Sequence, residues 1–395
     1  MSEKSMVPRI RFKGFTDPWE QRKASDVFGI RDDRGYPKLP VLSATQDQGM
    51  IYRDESGRFV SHNIASEANY KRVLPGNFAI HLRSFEGGFA HSSYEGITSP
   101  AYTIFAARDT DKQCDRFWKH LFTSDRFIDS LRVITYGIRD GRSINIDEFM
   151  DLLTTFPSID EQKQIGICLD ALDNLITLHQ RKHEKLVQMK KAMLDKMFPK
   201  PGAKFPEIRF EGFTDPWEQR KLGKLCSFTK GRGYSKADIC DSGIPLIHYG
   251  RLYTQYQMRI EVVDTFAVEH EDSLFSRGNE VIVPASGETA EDIAIASSVR
   301  RSGVMLGGDL NVVIPSSELD PDYVALGITY GRTHDDLAKR AQGKSVVHIH
   351  NDDIAEVDFP YPAIREQQAI AALVLNLDNL ITLHRRECMR DSLHW

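Results

Sequence analysis

The sequence predicts an α+β protein: two globular, mixed α/β domains in tandem pseudo-two-fold repeat, separated by a long antiparallel coiled coil of two helices. Three observations predict it. Residues 8–23 (PRIRFKGFTDPWEQRK) return at 206–221 as PEIRFEGFTDPWEQRK, differing only at Arg9/Glu207 and Lys13/Glu211. Residues 158–182 match 363–387, and the block LDNLITLH stands unchanged at 172–179 and 377–384. Between these matched ends the two copies diverge. A period of about 200 residues is far too long for a solenoid and denotes two domains, each followed by the same helical element. The expected organisation is a domain over 1–157, a helix over 158–198, a linker over 199–205, a second domain over 206–361 and a second helix over 362–395.

Each element has its own signal. Residues 160–197 place Ile165, Cys168, Leu172, Leu175, Leu186, Met189 and Met193 in alternating steps of three and four, the spacing of a heptad seam. Phe198-Pro199-Lys200-Pro201-Gly202 stops the helix. In the second copy Ile370, Leu373, Leu377 and Leu380 take the matching positions, and His384 stands where His179 stands. Pseudo-two-fold symmetry makes such a pair antiparallel. A polar side chain at mid-seam fixes register at some cost in stability, which is one role open to His179 and His384; solvated histidines on a helix flank are the other. The second helix has no copy of residues 186–198 and reads as truncated.

The middles combine short β-branched or apolar runs, at 78–82, 102–105, 244–248, 281–283 and 312–314, with stretches of helical spacing at 117–131 and 322–340. Two faint echoes link the copies. Leu74-Pro75-Gly76-Asn77 with Ile80 parallels Ser276-Arg277-Gly278-Asn279 with Ile282, and residues 39–42 parallel 244–247. Matched ends with divergent middles are what one scaffold carrying two different surfaces produces.

Composition narrows the function classes. The net charge is −5 and the pI about 6.2, which suits nucleic acid only if the cations cluster or a partner shares the phosphate contacts. Cys114, Cys168, Cys226, Cys240 and Cys388 form no C-x-x-C pair, which fits reduced thiols in the cytoplasm. No apolar run is long enough to span a membrane, and the start of the chain is polar.

Catalytic motifs are not found. Thr16-Asp17-Pro18-Trp19 is not the N/D-P-P-F/Y of an adenine methylase. Gly343-Lys344-Ser345 resembles the end of a P-loop, but Ala338 replaces its first glycine. His348-x-His350 has no third ligand in the sequence. No catalytic residue, metal or cofactor is expected in this chain. What points to nucleic acid is local: Lys230, Arg232, Tyr234 and Lys236 in a glycine-containing loop; His248, Tyr249 and Arg251 after an apolar strand; Ser286 after another; and Lys344 with Ser345. The first copy offers Arg31, Arg34, Tyr36 and Lys38, then His81 with Arg83, and Arg139 with Arg142. Arginine takes guanine bidentately, while Ser, Thr and Lys reach phosphates. Each cluster taken singly is also what a solvated loop looks like.

Taken together, the RF-x-GFTDPWEQRK block and the Pro157-Ser-Ile-Asp-Glu-Gln162 and Pro362-Ala-Ile-Arg-Glu-Gln367 openings of the LDNLITLH helices resemble the specificity subunit of type I restriction–modification systems, over essentially the whole chain. The resemblance implies two target-recognition domains, at 24–157 and 222–362, each reading half of an asymmetric, bipartite site in double-stranded DNA. It implies that the helices set the gap and dock two modification subunits. Those subunits would bring S-adenosylmethionine, and restriction (motor–nuclease) subunits ATP and magnesium. Two other readings remain: a stand-alone DNA-binding regulator that dimerises through its helices, and a methylase or nuclease fused to recognition domains.

Overall fold

The computed structural model describes residues 7–55, 64–80, 88–131, 135–136, 143–234, 236–343 and 345–392. The chain forms two compact units, 1–176 and 177–395, whose boundary falls inside the long helix Ile159–Met197. The mixed α/β class expected from the sequence is present in both.

In the first unit, strand Glu20–Lys23 leaves the repeated block and pairs antiparallel with Leu153–Phe156. A four-stranded antiparallel sheet follows, in the order Phe28–Arg31, Thr103–Ala107, Phe78–Ile80, Phe89–His91. Its core is aromatic. The Phe28 ring meets Phe105 at 5.6 Å and Trp118 at 4.9 Å, both edge-on, the geometry that the ring quadrupole favours. Trp118 belongs to helix Asp115–Phe122, which lays Phe117, Trp118 and Phe122 on this core.

The second unit repeats the frame with an aliphatic core. Glu218–Lys221 pairs with Asp358–Tyr361. A five-stranded sheet runs Cys226–Lys230, Leu310–Pro315, Glu280–Pro284, Ser297–Val299, Arg259–Ile260. A second five-stranded sheet runs Ile239–Cys240, Phe266–Ala267, Ile244–Ile247, Ser302–Leu306, Phe275–Arg277. The echo of the two middles has a structural basis. Gly76 and Gly278 both turn at positive φ, 84° and 94°, immediately before the strands Phe78–Ile80 and Glu280–Pro284.

The matched blocks are a scaffold built the same way twice. Arg11 grips Glu161, and Arg209 grips Glu366, each through two bonds of 2.7 Å. The glutamine after each glutamate works on the backbone. Gln162 donates to the Pro157 carbonyl and accepts from the Cys114 amide; Gln367 donates to the Pro362 carbonyl and accepts from the Asp320 amide. Each Glu-Gln pair thereby ties the start of a long helix to its own domain. Ile165 also faces this way, against the aromatic core of the first unit. Gly166 is needed beside it, because a Cβ there would lie 2.9 Å from the Arg116 Cβ.

Within the second unit, residues 177–197 run antiparallel to the helix Ile364–Ser392. His179 faces His384, while Lys190, eleven residues on, bonds Asp378, six residues back. The seam differs from the expected one by a residue at alternate positions. Leu175, Met189 and Leu380 are exposed. Their neighbours Ile176, Lys190 and Ile381 are half-buried, and Val374 is buried where Leu373 is only half-buried. The shared positions hold: Leu186, Ile370, Leu377 and His384 are buried, and Leu172, His179 and Met193 half-buried. Periodicity alone could not choose between adjacent apolar residues such as Leu175 and Ile176. At 189–190 the cation wins because its ammonium reaches Asp378 at 2.6 Å and the Tyr330 hydroxyl at 3.1 Å. No helix among the described residues is long and apolar enough to cross a membrane.

Candidate nucleic-acid interface

In the second unit, loops at the ends of two strands enclose an open cleft of about 750 Å³. Strand Ile244–Ile247 ends in His248-Tyr249-Gly250, and the turn Arg251–Thr254 follows. Strand Glu280–Pro284 leads to Ser286–Gly287, which pairs with Val347–His348. The Tyr253 hydroxyl donates to the Ser286 carbonyl at 2.8 Å and joins the two walls. Burial and nearby Asp292 push that hydroxyl's pKa well up, so it stays a donor. The cleft brings Ser286 together with His248, Tyr249 and Arg251, from which it lies far apart in sequence.

Their roles within it differ. The Arg251 side chain is only 11% exposed; its guanidinium bonds Asp264 at 2.5 Å, Gln257 at 3.3 Å and the Val262 carbonyl at 3.1 Å. That bond holds the Asp264 carboxyl below its usual range. Arg251 is therefore an internal brace of the cleft wall, which its place after an apolar strand did not reveal. His248 accepts from the Gly250 amide and its ring lies 4.6 Å from that of Tyr249. The Ser286 hydroxyl lies 3.2 Å from His348 Nδ1. Tyr253, Glu288 and Asp292 also line the cleft, and sequence reasoning missed them because nothing local marks them. The two carboxylates repel phosphate but accept readily from the exocyclic amino groups of cytosine and adenine.

The neighbouring loop carries exposed cations. Lys230 and Arg232 are exposed. The glycine between them, Gly231, is not there for flexibility. A Cβ on Gly231 would lie 1.8 Å from the Gly307 carbonyl oxygen, and the Arg232 amide donates to Leu306 at 2.9 Å. The backbone is pinned and the arginine displayed. Tyr234 is a correction: it is 5% exposed, packs with Leu246, Ala267 and Met305, and shares its hydroxyl with Ser273. Alternation within the loop turned it inward, so it is core and not a reading side chain. Ser345 is exposed; Lys344 and the side chain of Lys236 lie outside the described residues.

In the first unit, Arg31, Arg34 and Lys38 are exposed and Tyr36 half-buried. Arg34 is bidentate to Asp32, and Arg31 donates to the Ala107 carbonyl at 3.0 Å. Arg72, which sequence reading passed over, lies 4.4 Å above the Tyr36 ring and binds Glu95. His81, Arg83, Arg139 and Arg142 lie outside the described residues.

Each unit is thus a mixed α/β body with a matched frame, a long helix and its own set of loops, a class of duplicated α+β protein to which the comparisons add relatives. Residues 214–388 match the family model of the type I restriction modification DNA specificity domain. The MjaX protein of Methanocaldococcus jannaschii, a putative type I restriction enzyme specificity subunit, is 26% identical over 94% of this chain and 89% of its own. The MjaVIII specificity subunit of the same organism is 21% identical over 60% of this chain, and the match spans 58% of that protein. The fold is that of the crystallised type I restriction–modification S subunit from M. genitalium, with a TM-score of 0.61, 13% identity and coverage of 98% and 96%. The chain is thus similar to specificity subunits of type I restriction–modification systems, and its residues 214–388 match their DNA specificity domain.

Proposed function

We propose that this chain reads an asymmetric, bipartite sequence in double-stranded DNA and presents it to partner subunits. The observation that carries the reading is one frame built twice, Arg11–Glu161 and Arg209–Glu366, beneath loops of different chemistry. On this reading residues 1–157 and 206–361 are the two target-recognition domains. Residues 158–198 and 362–395 are the spacer helices, joined through 199–205. The exposed Lys230 and Arg232 and the cleft at His248, Tyr249 and Ser286 form the reading surface of the second domain; Arg31, Arg34 and Lys38 contribute to the first. Two modification subunits supply S-adenosylmethionine chemistry, and restriction subunits supply ATP- and magnesium-dependent cleavage. The chain itself contributes recognition and no catalytic group. Its net charge of −5 is compatible with this because the partners carry much of the phosphate contact.

The test is methylome sequencing of cells that express the chain with its modification subunit, before and after residues 222–362 are exchanged for those of a relative. The expected methylation motif is split and asymmetric, with half-site centres about one helical turn apart. The exchange should alter one half-site only. A continuous or palindromic motif, or a change in both halves, overturns the reading.

A further inference from the structure

The two histidines of the repeated LDNLITLH block meet where residues 177–197 pack on the second long helix. Their Nδ1 atoms lie 3.3 Å apart. A third group joins them: a Glu387 carboxylate oxygen lies 3.2 Å from His179 Nδ1 and 3.1 Å from His384 Nδ1. Three donor atoms thus form a nearly equilateral triangle. His384 is buried, His179 half-buried, and Glu387 completes the group from the next turn of its own helix.

Protons alone satisfy this triangle poorly. If both Nδ1 atoms carry hydrogen, two N–H groups point at one another. If only one does, the bare nitrogen of the other faces a carboxylate oxygen, lone pair against lone pair. A cation at the centre accepts all three lone pairs at once. Zinc–nitrogen bonds of about 2.0–2.1 Å in a tetrahedron require ligand atoms roughly 3.3 Å apart, which matches the triangle.

A control for this argument lies in the first unit. His120, Asp170 and Asp173 also come together. There Lys119 bonds Asp170 at 2.9 Å and reaches Asp173 at 3.8 Å, so the carboxylates already have a cation. At His179–His384–Glu387 no lysine or arginine is bonded to the carboxylate among the described residues.

We propose that His179, His384 and Glu387 form a site for one divalent cation of the zinc class, which clamps the two helices at the repeated histidines. Imidazole and carboxylate ligands suit zinc, cobalt and nickel better than calcium or magnesium. Three protein ligands leave a fourth, solvent-facing position for water. The site arises from the duplication and from one departure from it: the residue three after the histidine is Glu387 in the second copy and Lys182 in the first. The proposal does not depend on the DNA-reading function.

The test uses the full chain, stripped with a chelator and titrated with Co²⁺ and then Zn²⁺. The expected result is one equivalent of Co²⁺ with tetrahedral visible absorption, displaced by Zn²⁺, and a melting temperature that rises with Zn²⁺ and falls with chelator. His384→Asn should abolish the absorption and the chelator effect. Glu387→Gln should weaken binding at least tenfold, since even outer-shell changes cost about 10–100-fold. Should His384→Asn fail to fold, the half-exposed Glu387→Gln decides. No binding below millimolar metal, or equal affinity in the wild type and Glu387→Gln, overturns the proposal.

Discussion

Arg209 closes a two-pronged ion pair on Glu366, with Nε and Nη2 each 2.7 Å from a carboxylate oxygen. The Glu366 side chain is 1% exposed, and Trp217 Nε1 approaches the same carboxylate at 3.4 Å. Removing one partner strands a buried charge. Glu366→Ala is therefore expected to destabilise the second unit by about 3–5 kcal/mol. Glu161→Ala should do the same in the first unit by releasing Arg11. Equilibrium denaturation followed by tryptophan fluorescence measures both. A cost below about 1 kcal/mol would mean that the blocks are held by other contacts.

The helix seam makes a second prediction. Leu186 is buried and Met189 is 40% exposed, although both fit a heptad on paper. Leu186→Ala should cost about 2 kcal/mol or more, while Met189→Ala should stay within about 0.5 kcal/mol. Thermal unfolding of the two variants separates the observed register from the one counted along the sequence, which predicts equal losses.

Arg232 and Arg251 should behave differently toward DNA. Arg232 is exposed, and Arg251 is bound to Asp264, Gln257 and the Val262 carbonyl. If Arg232 reads a guanine, Arg232→Ala should cost about 1–3 kcal/mol at one position of the motif. Arg251→Ala should lower the melting temperature and weaken binding without regard to base. Duplexes mismatched one position at a time, titrated against the chain with its modification subunits, give the answer. Base-specific loss at Arg251 would return it to the reading surface.

Asp322 is one carboxylate through which acid should destabilise the second unit. Burial raises its pKa, but hydrogen bonds from Arg259, Arg300 and Ser298 outweigh burial and leave the carboxyl below its usual range. A folded pKa below the unfolded one means that its contribution is present above the unfolded value of about 3.9 and is lost as pH falls through the folded one. Asp322→Asn should reduce stability at neutral pH and flatten the decline below about pH 4. Unfolding measured from neutral pH into acid checks this; an unchanged acid slope would place the titrating groups elsewhere.

The architecture was legible because the chain says it twice. The Arg-Phe block and the Glu-Gln helix openings repeat because each pair must meet, Arg11 with Glu161 and Arg209 with Glu366. The candidate surface was legible only in part. Lys230 and Arg232 are exposed, but Tyr234 is core and Arg251 a brace. A loop's composition does not say which way alternate side chains turn. Tyr253, Glu288 and Asp292 carried no signal, because the cleft joins strand ends some forty residues apart in the chain.

What the sequence by itself determined is the duplication, since a repeated block is a covalent record independent of folding, and with it the expectation of one frame and one long helix built twice. Tertiary structure decided which face of each helix is buried. Adjacent apolar residues such as Leu373 and Val374 satisfy a period of three and four equally well, and only packing within the folded unit chooses between them. It also decided that His179, His384 and Glu387 share one point in space. Two histidines 205 positions apart meet only when an antiparallel pairing brings the same position of both copies together.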